Sequence, residues 1–317
     1  MNYDDNIKKR VIETILLVII MTLYTMFGLY YVPYALLLLP APFIVFSVKN
    51  GIISNIINMF VTCMAVGVMT SFDTALFLII SFIPMTFISS YLIKKRRRSI
   101  EILGITSTIL FISLLIVLSF IDGEGGGFLV LMEEGFRQLL SSQLDVLRDM
   151  DLTSYEVLQL EELLENTYKY LLLIMPAILL ILSLGISYLN YFLSSIGLRK
   201  MGIGIVNVPK FSRFRLPNNI VPGTLIMFLA VYIMKKVNMP YHEVILINLV
   251  MLIGFMFLIQ GLSVVDYFFS RMRVYLIVRI IVYIFLIFNS PMITVISILG
   301  FIDTIFNIRK IGKSNIK

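Results

Sequence analysis

Residues 170–193 read YLLLIMPAILLILSLGISYLNYFL, a run with no charged side chain. A helix rises about 1.5 Å per residue and the hydrocarbon core of a bilayer is about 30 Å thick, so the run is long enough to cross a membrane. Its few polar residues are not scattered. Ser183, Ser187, Asn190 and Ser194 recur at intervals of four, three and four, which stacks them on one helical face beside Gly185. An apolar helix with one polar stripe predicts a membrane span whose stripe faces other helices or a cavity, because polar groups facing lipid are costly.

Working outward, similar runs occupy 11–30, 32–48, 52–70, 74–93 and 102–120 before this stretch, and 220–234, 243–264, 274–288 and 291–306 after it. The chain has 317 residues, 59% hydrophobic and 14% charged. Its apolar residues come in runs rather than at an amphipathic period, which excludes an ordinary soluble domain. The expected fold is all-α, a polytopic transmembrane helix bundle of about ten spans. It divides into an N-terminal membrane bundle at 1–120, an acidic external helical insertion at 121–169, and a C-terminal membrane bundle at 170–317 that includes a basic cytoplasmic loop at 194–217. The first apolar run is too long for a signal-peptide core and is expected to remain as an anchor.

The net charge of +7 comes from short basic clusters flanking apolar runs, so it marks topology and not a nucleic-acid partner. With the N-terminus cytoplasmic, the inner loops hold Lys8, Lys9, Arg10, Lys49, Lys94 to Arg98, Arg199, Lys200, Lys210, Arg213, Arg215, Arg271, Arg273, Arg309, Lys310, Lys313 and Lys317, while Arg279 falls within a span. Only Arg137, Arg148, Lys169, Lys235 and Lys236 fall outside. Both termini are therefore expected in the cytoplasm. Within the C-terminal bundle, Asn289, Ser290 and Pro291 must turn between the last two runs, and a full hairpin is expected over a re-entrant element, because the latter would misplace Arg309, Lys310 and Lys313.

Cys63 and His242 are the sole cysteine and histidine. They exclude an intramolecular disulfide, and they argue against a thiolate metal cage or a histidine-based triad. No nucleophile elbow or HExxH cluster occurs, so no metal, cofactor, catalytic residue or enzymatic activity is expected.

Between 121 and 169 the composition changes, with eleven acids from Asp122 to Glu165 facing only Arg137, Arg148 and Lys169. The run of Gly123, Glu124, Gly125, Gly126 and Gly127 lacks the lysine and hydroxyl residue of a phosphate loop and reads as a hinge. Phe128, Met132, Phe136, Leu139, Leu140, Leu144 and Leu147 then recur at helical spacing. Thr153 and Glu156 form a capping-box pattern opening a second helix, which runs toward the sixth span. The pair reads as a hairpin on the membrane surface or as a lid.

Three further features bear on function. Asn55, Asn58 and Thr62 make a second polar stripe, on the third span. With Ser183, Ser187 and Asn190 they are candidates for lining a cavity, or simply for holding helices together. Pro33, Pro40 and Pro42 predict a broken second span, and broken spans expose carbonyls that transporters use for ions or substrates. Arg279 and Asp303 fall at similar depth in the last two runs and suggest an ion pair. Glu13 and Asp266 read as neutralisers of neighbouring bases.

The loop Phe211, Ser212, Arg213, Phe214, Arg215, Leu216, Pro217, with the ending Gly300, Phe301, Ile302, Asp303, then Asn307, Ile308, Arg309, Lys310, resembles the YybS-like multi-pass membrane proteins of bacteria. That resemblance implies a bacterial cell-membrane location. It also implies a membrane region similar to the substrate-binding subunits of energy-coupling-factor vitamin transporters and, more loosely, to membrane subunits of the cell-shape machinery. Those binding subunits are shorter and have fewer spans, and none of their ligand motifs transfers to these positions. Two functions follow as expectations: transport-related binding or translocation of a small solute, or a non-transporting scaffold that docks a membrane or cytoplasmic protein through Arg213 and Arg215. The lipid bilayer is a partner in both.

Overall fold

A computed structural model describes residues 3–121, 133–139, 141–142, 154–204, 210–217 and 219–310. Among these residues there is no strand, and the chain is an all-α polytopic membrane protein. The helices are α1 (Tyr3–Tyr30), α2 (Pro40–Asn50), α3 (Ile52–Met69), α4 (Phe72–Lys94), α5 (Ser99–Ile121), α6 (Ser154–Lys200), α7 (Ile220–Lys236), α8 (His242–Arg271), α9 (Leu276–Phe288) and α10 (Ser290–Phe306). The expected glycine hinge, most of the first insertion helix and Thr153 lie outside the described residues. Within them 133–139 is helical, and Arg137 pairs with Glu133 at 2.8 Å. The second insertion helix is continuous with the sixth span, as α6 of 47 residues.

Polarity is distributed as lipid requires. Leu23, Val68 and Ile226 are 64%, 87% and 67% exposed, whereas Thr25, Thr62, Ser81, Thr86 and Ser90 are fully buried. Water would invert that arrangement, so the exposed apolar faces belong against acyl chains.

The chain forms two compact units: Met1–Asn166 with Leu182–Val208, and Thr167–Ile181 with Pro209–Lys317. In the first, Leu17 and Met21 of α1, Phe43 of α2, Met59, Cys63 and Val66 of α3, and Leu78, Phe82 and Met85 of α4 form a close-packed core. Gly51, at φ +123°, makes the sharp corner between α2 and α3 that a side chain would strain. Ser71 accepts from the Thr74 amide at 3.2 Å and caps α4.

In the second unit α10 crosses α8 backbone to backbone. A Cβ at Gly261 would strike the Ile296 carbonyl, and one at Gly300 would strike the Phe257 carbonyl. Asn248 of α8 inserts its amide at the Pro176 kink of α6. It accepts from the Ala177 N–H at 2.9 Å and donates to the Leu173 carbonyl at 2.7 Å, the two groups a straight helix would join directly.

The number of spans changes. Seven segments are long and apolar enough to cross a membrane, and the bent pair Leu276–Phe288 with Ser290–Phe306 makes an eighth if taken as one. The expected ten counted α7, whose 17 residues extend about 25 Å, and α9, whose 13 residues extend about 20 Å, both short of a hydrocarbon core of about 30 Å. The bend between α9 and α10 is 105°, so the pair falls short of the full hairpin expected.

Candidate functional site

The α6 stripe lies against the break in the second span. Residues Pro33–Leu38 form a 3-10 helix and Pro40 opens α2, so the break falls at Leu39. A continued 3-10 pattern would aim the amide of residue 40 at the Leu37 carbonyl, but proline has none to give. Asn190 supplies the missing donor, its Nδ2 reaching Leu37 O at 2.7 Å and Ile186 O at 2.9 Å. One turn on, Ser194 Oγ donates to Ala41 O at 3.2 Å, and Gly197 brings α6 against the Val45 side chain.

The second stripe serves the other end of the same span. Asn55 Nδ2 donates to Phe46 O at 3.0 Å, near the end of α2, and to Gly51 O at 3.1 Å, at the corner between α2 and α3. Asn58 donates to Asn55 Oδ1 at 3.3 Å, and Thr62 Oγ1 donates to Asn58 O at 2.9 Å.

All six residues are buried, with Ser183 and Asn190 at 0% exposure and Ser187 at 1%. They are not equally satisfied. Ser187 Oγ and Asn190 Oδ1, a turn apart on α6, are buried without a hydrogen-bond partner, as are Ser47 Oγ and Ser81 Oγ. Buried polar atoms left open cost about 1–3 kcal/mol each. Two surface hollows, of about 420 Å³ at Asn238–Val244 and about 640 Å³ at Lys95–Glu101, touch neither stripe. Among the described residues no three His, Cys, Asp or Glu side chains come together as a metal site.

A second polar centre, in the other unit, corrects the expected ion pair. Arg279 does not meet Asp303. Its fork turns back over the α8–α9 turn, donating to Asp266 Oδ1 at 3.2 Å, Ser270 Oγ at 2.9 Å, and the carbonyls of Val274 at 2.9 Å and Phe269 at 3.3 Å. The end of α8 leaves carbonyls open, and a cation there satisfies them and opposes the helix dipole. Tyr283, one turn along α9, donates to Asp266 Oδ1 at 2.8 Å.

Asp303 faces the chain that follows its own helix. Asn307, at φ +48°, reverses the backbone and returns Arg309 to Asp303, Nη2 to Oδ2 at 2.9 Å, with both side chains at 0% exposure. Gln260 Nε2 donates to the same oxygen at 2.6 Å, and Gln260 Oε1 accepts the Leu216 amide at 3.0 Å. Arg309 Nη1 donates to the Ser212 carbonyl at 2.9 Å and to Ser263 Oγ at 2.7 Å, and Nη2 to the Phe214 carbonyl at 2.8 Å. Ser263 Oγ also lies 2.6 Å from the Phe211 carbonyl. The buried pair is thus hydrogen-bonded on every side, the condition under which such a pair is tolerated.

The loop at 211–217 is therefore a strap fastened across α8 and the end of α10. Ser212 and Leu216 are buried in it, Arg215 is half-buried and Arg213 is exposed. The two segments that carried the family resemblance meet here in space. Gln260, Ser263 and Arg309 were missed as site residues, although the strap and the C-terminal signature were the signal that could have found them. The same bonds put Arg309 and the strap at one end of this unit, so the α9–α10 pair leaves that end and returns to it.

No curated protein and no solved structure matches the chain. The model of one protein family, described as "Predicted membrane protein (DUF2232)", matches residues 14–304. That stretch runs from the first span to the last turn of α10 and includes both stripes and most of the strap's partners. On that match the chain belongs to the DUF2232 family of membrane proteins.

Proposed function

We propose that this protein binds a small polar solute in the membrane and serves its transport, without catalysing a reaction. One observation carries the reading: at the broken second span Asn190 is wholly buried, bonded through Nδ2 to the Leu37 carbonyl, while its Oδ1 and the neighbouring Ser187 Oγ have no partner. An acceptor and a hydroxyl in adjacent turns suit a neutral solute offering both a donor and an acceptor. The expected likeness to vitamin-binding transporter subunits agrees with this chemistry. We place both termini in the cytoplasm, on the bias of the basic loops.

The test is a thermal-shift screen of detergent-purified protein against vitamins, nucleobases, amino acids, sugars and ions, repeated with Asn190→Leu and Ser187→Ala. Selective stabilisation by one class, lost in variants that still unfold cooperatively, supports the reading, since a ligand bound only by the folded state stabilises by mass action. A flat response over all classes overturns it. The scaffold reading has its own observation in the exposed Arg213 of the strap. It requires that Arg213→Glu lose a co-purifying protein and leave solute binding intact.

A further inference from the structure

The strap end of the second unit has a charge imbalance that its own residues do not answer. From Pro209 onward the chain contains three acids, Glu243, Asp266 and Asp303. Glu243 stands at the far start of α8. Asp266 is held by Arg279 and Tyr283, and Asp303 by Arg309 and Gln260. At this end Lys210, Arg213, Arg271, Arg273 and Lys310 are all exposed, and none has an ion pair among the described residues.

The fold keeps these cations facing outward. The carbonyls of Ser212 and Phe214 both accept from the buried Arg309, while Arg213 between them is exposed. Arg271 ends α8 two turns beyond Ser263, roughly 12 Å along the helix. Lys310 follows the anchored Arg309 directly.

What they face is decided by the neighbours. Met272 and Tyr275, in the turn that holds Arg271 and Arg273, are 64% and 83% exposed, and Leu276 and Ile277 continue that apolar surface into α9 at 70% and 73%. α9 has no buried residue at all. Cations bordering a continuous apolar surface belong at the boundary between headgroup and acyl chain, where a tyrosine also sits well.

We infer that this end of the protein is a binding face for anionic phospholipid headgroups, with the latched strap supplying one side and the α8–α9 turn the other. Each basic residue near such a surface contributes on the order of 1 kcal/mol, screened by salt. Removing three therefore weakens the preference for anionic lipid on the order of 100-fold at low salt.

The experiment uses the full chain in neutral detergent, titrated with phosphatidylglycerol or phosphatidylcholine while the melting temperature is read. The variants are Arg213→Gln/Arg271→Gln/Arg273→Gln and, as a control at the opposite end of α7, Lys235→Gln/Lys236→Gln. The expected result is stabilisation by phosphatidylglycerol above phosphatidylcholine in the wild type and the control, suppressed by high salt and lost in the triple variant. Because the three substituted residues are exposed, the triple variant should melt normally without lipid. Equal effects of the two lipids, or an anionic preference that survives in the triple variant, overturns the inference. A shift produced equally by free glycerol phosphate points to a soluble phosphate ligand, and one produced equally by polyglutamate points to an acidic protein; either also overturns it.

Discussion

Among the described residues Arg309 and Asp303 are each other's only opposite charge in a fully buried setting, so removing either leaves an uncompensated ion. Arg309→Gln is expected to destabilise the protein by about 3–5 kcal/mol and to free the strap, read as faster tryptic cleavage at Arg213 and Arg215. Adding Asp303→Asn to that variant should recover part of the loss, since no buried charge then remains. If single and double variants are equally impaired, the pair is not what matters. Asn248→Leu is the parallel case without charge: it strands the Ala177 N–H and the Leu173 carbonyl and should cost about 1–3 kcal/mol, measured by chemical unfolding. The polar stripes were legible at this scale because helical spacing alone puts Ser183, Ser187 and Asn190 on one face. Their partners were not, because Leu37 and Phe46 take part through main-chain carbonyls, which every residue has. Arg279 was paired wrongly for a related reason: equal depth in two helices says nothing of the reach of a long side chain, and its fork turned back to the carbonyls closing α8.

Among the elements, the crossing of α8 and α10 depends on the missing side chains of Gly261 and Gly300. Gly300→Leu must push the two backbones apart and is expected to cost about 1–3 kcal/mol or more and to loosen the strap, because Gln260, Ser263 and Asp303 all flank the crossing. The check is trypsin sensitivity of the strap beside a mild Gly254→Ala control, since nothing lies within contact distance of a Cβ added at Gly254. The break in the second span was readable from Pro33, Pro40 and Pro42, and a second insertion helix running toward the sixth span from its capping-box pattern at Thr153 and Glu156. The shortness of the runs at 220–234 and 274–288 was readable from their length alone. The 105° bend between α9 and α10 was not, because Asn289, Ser290 and Pro291 signal a turn without setting its angle.

For the whole molecule, large exposed apolar side chains together with buried serines, threonines and asparagines confirm the membrane class that composition alone had given. The sidedness within the second unit can be tested with cysteines. Lys210→Cys and Lys310→Cys should react with a membrane-impermeant maleimide from one side of sealed vesicles, and Glu243→Cys, at the far start of the spanning α8, from the other. The native Cys63 is wholly buried and should not react. Labelling of Lys210→Cys and Lys310→Cys from opposite sides would contradict the strap.

Helix α6 carries a further consequence. Its residues belong first to one unit, through Asn166, then to the other over Thr167–Ile181, and from Leu182 to the first again. Its main-chain ladder is interrupted within the Thr167–Ile181 stretch, where Pro176 has no amide and Asn248 stands between the Leu173 carbonyl and the Ala177 N–H. The Ala177 amide therefore reports on a side chain and not on its own helix. With Asn248→Leu its hydrogen should exchange with solvent deuterium markedly faster, while amides deep in α8 keep their protection.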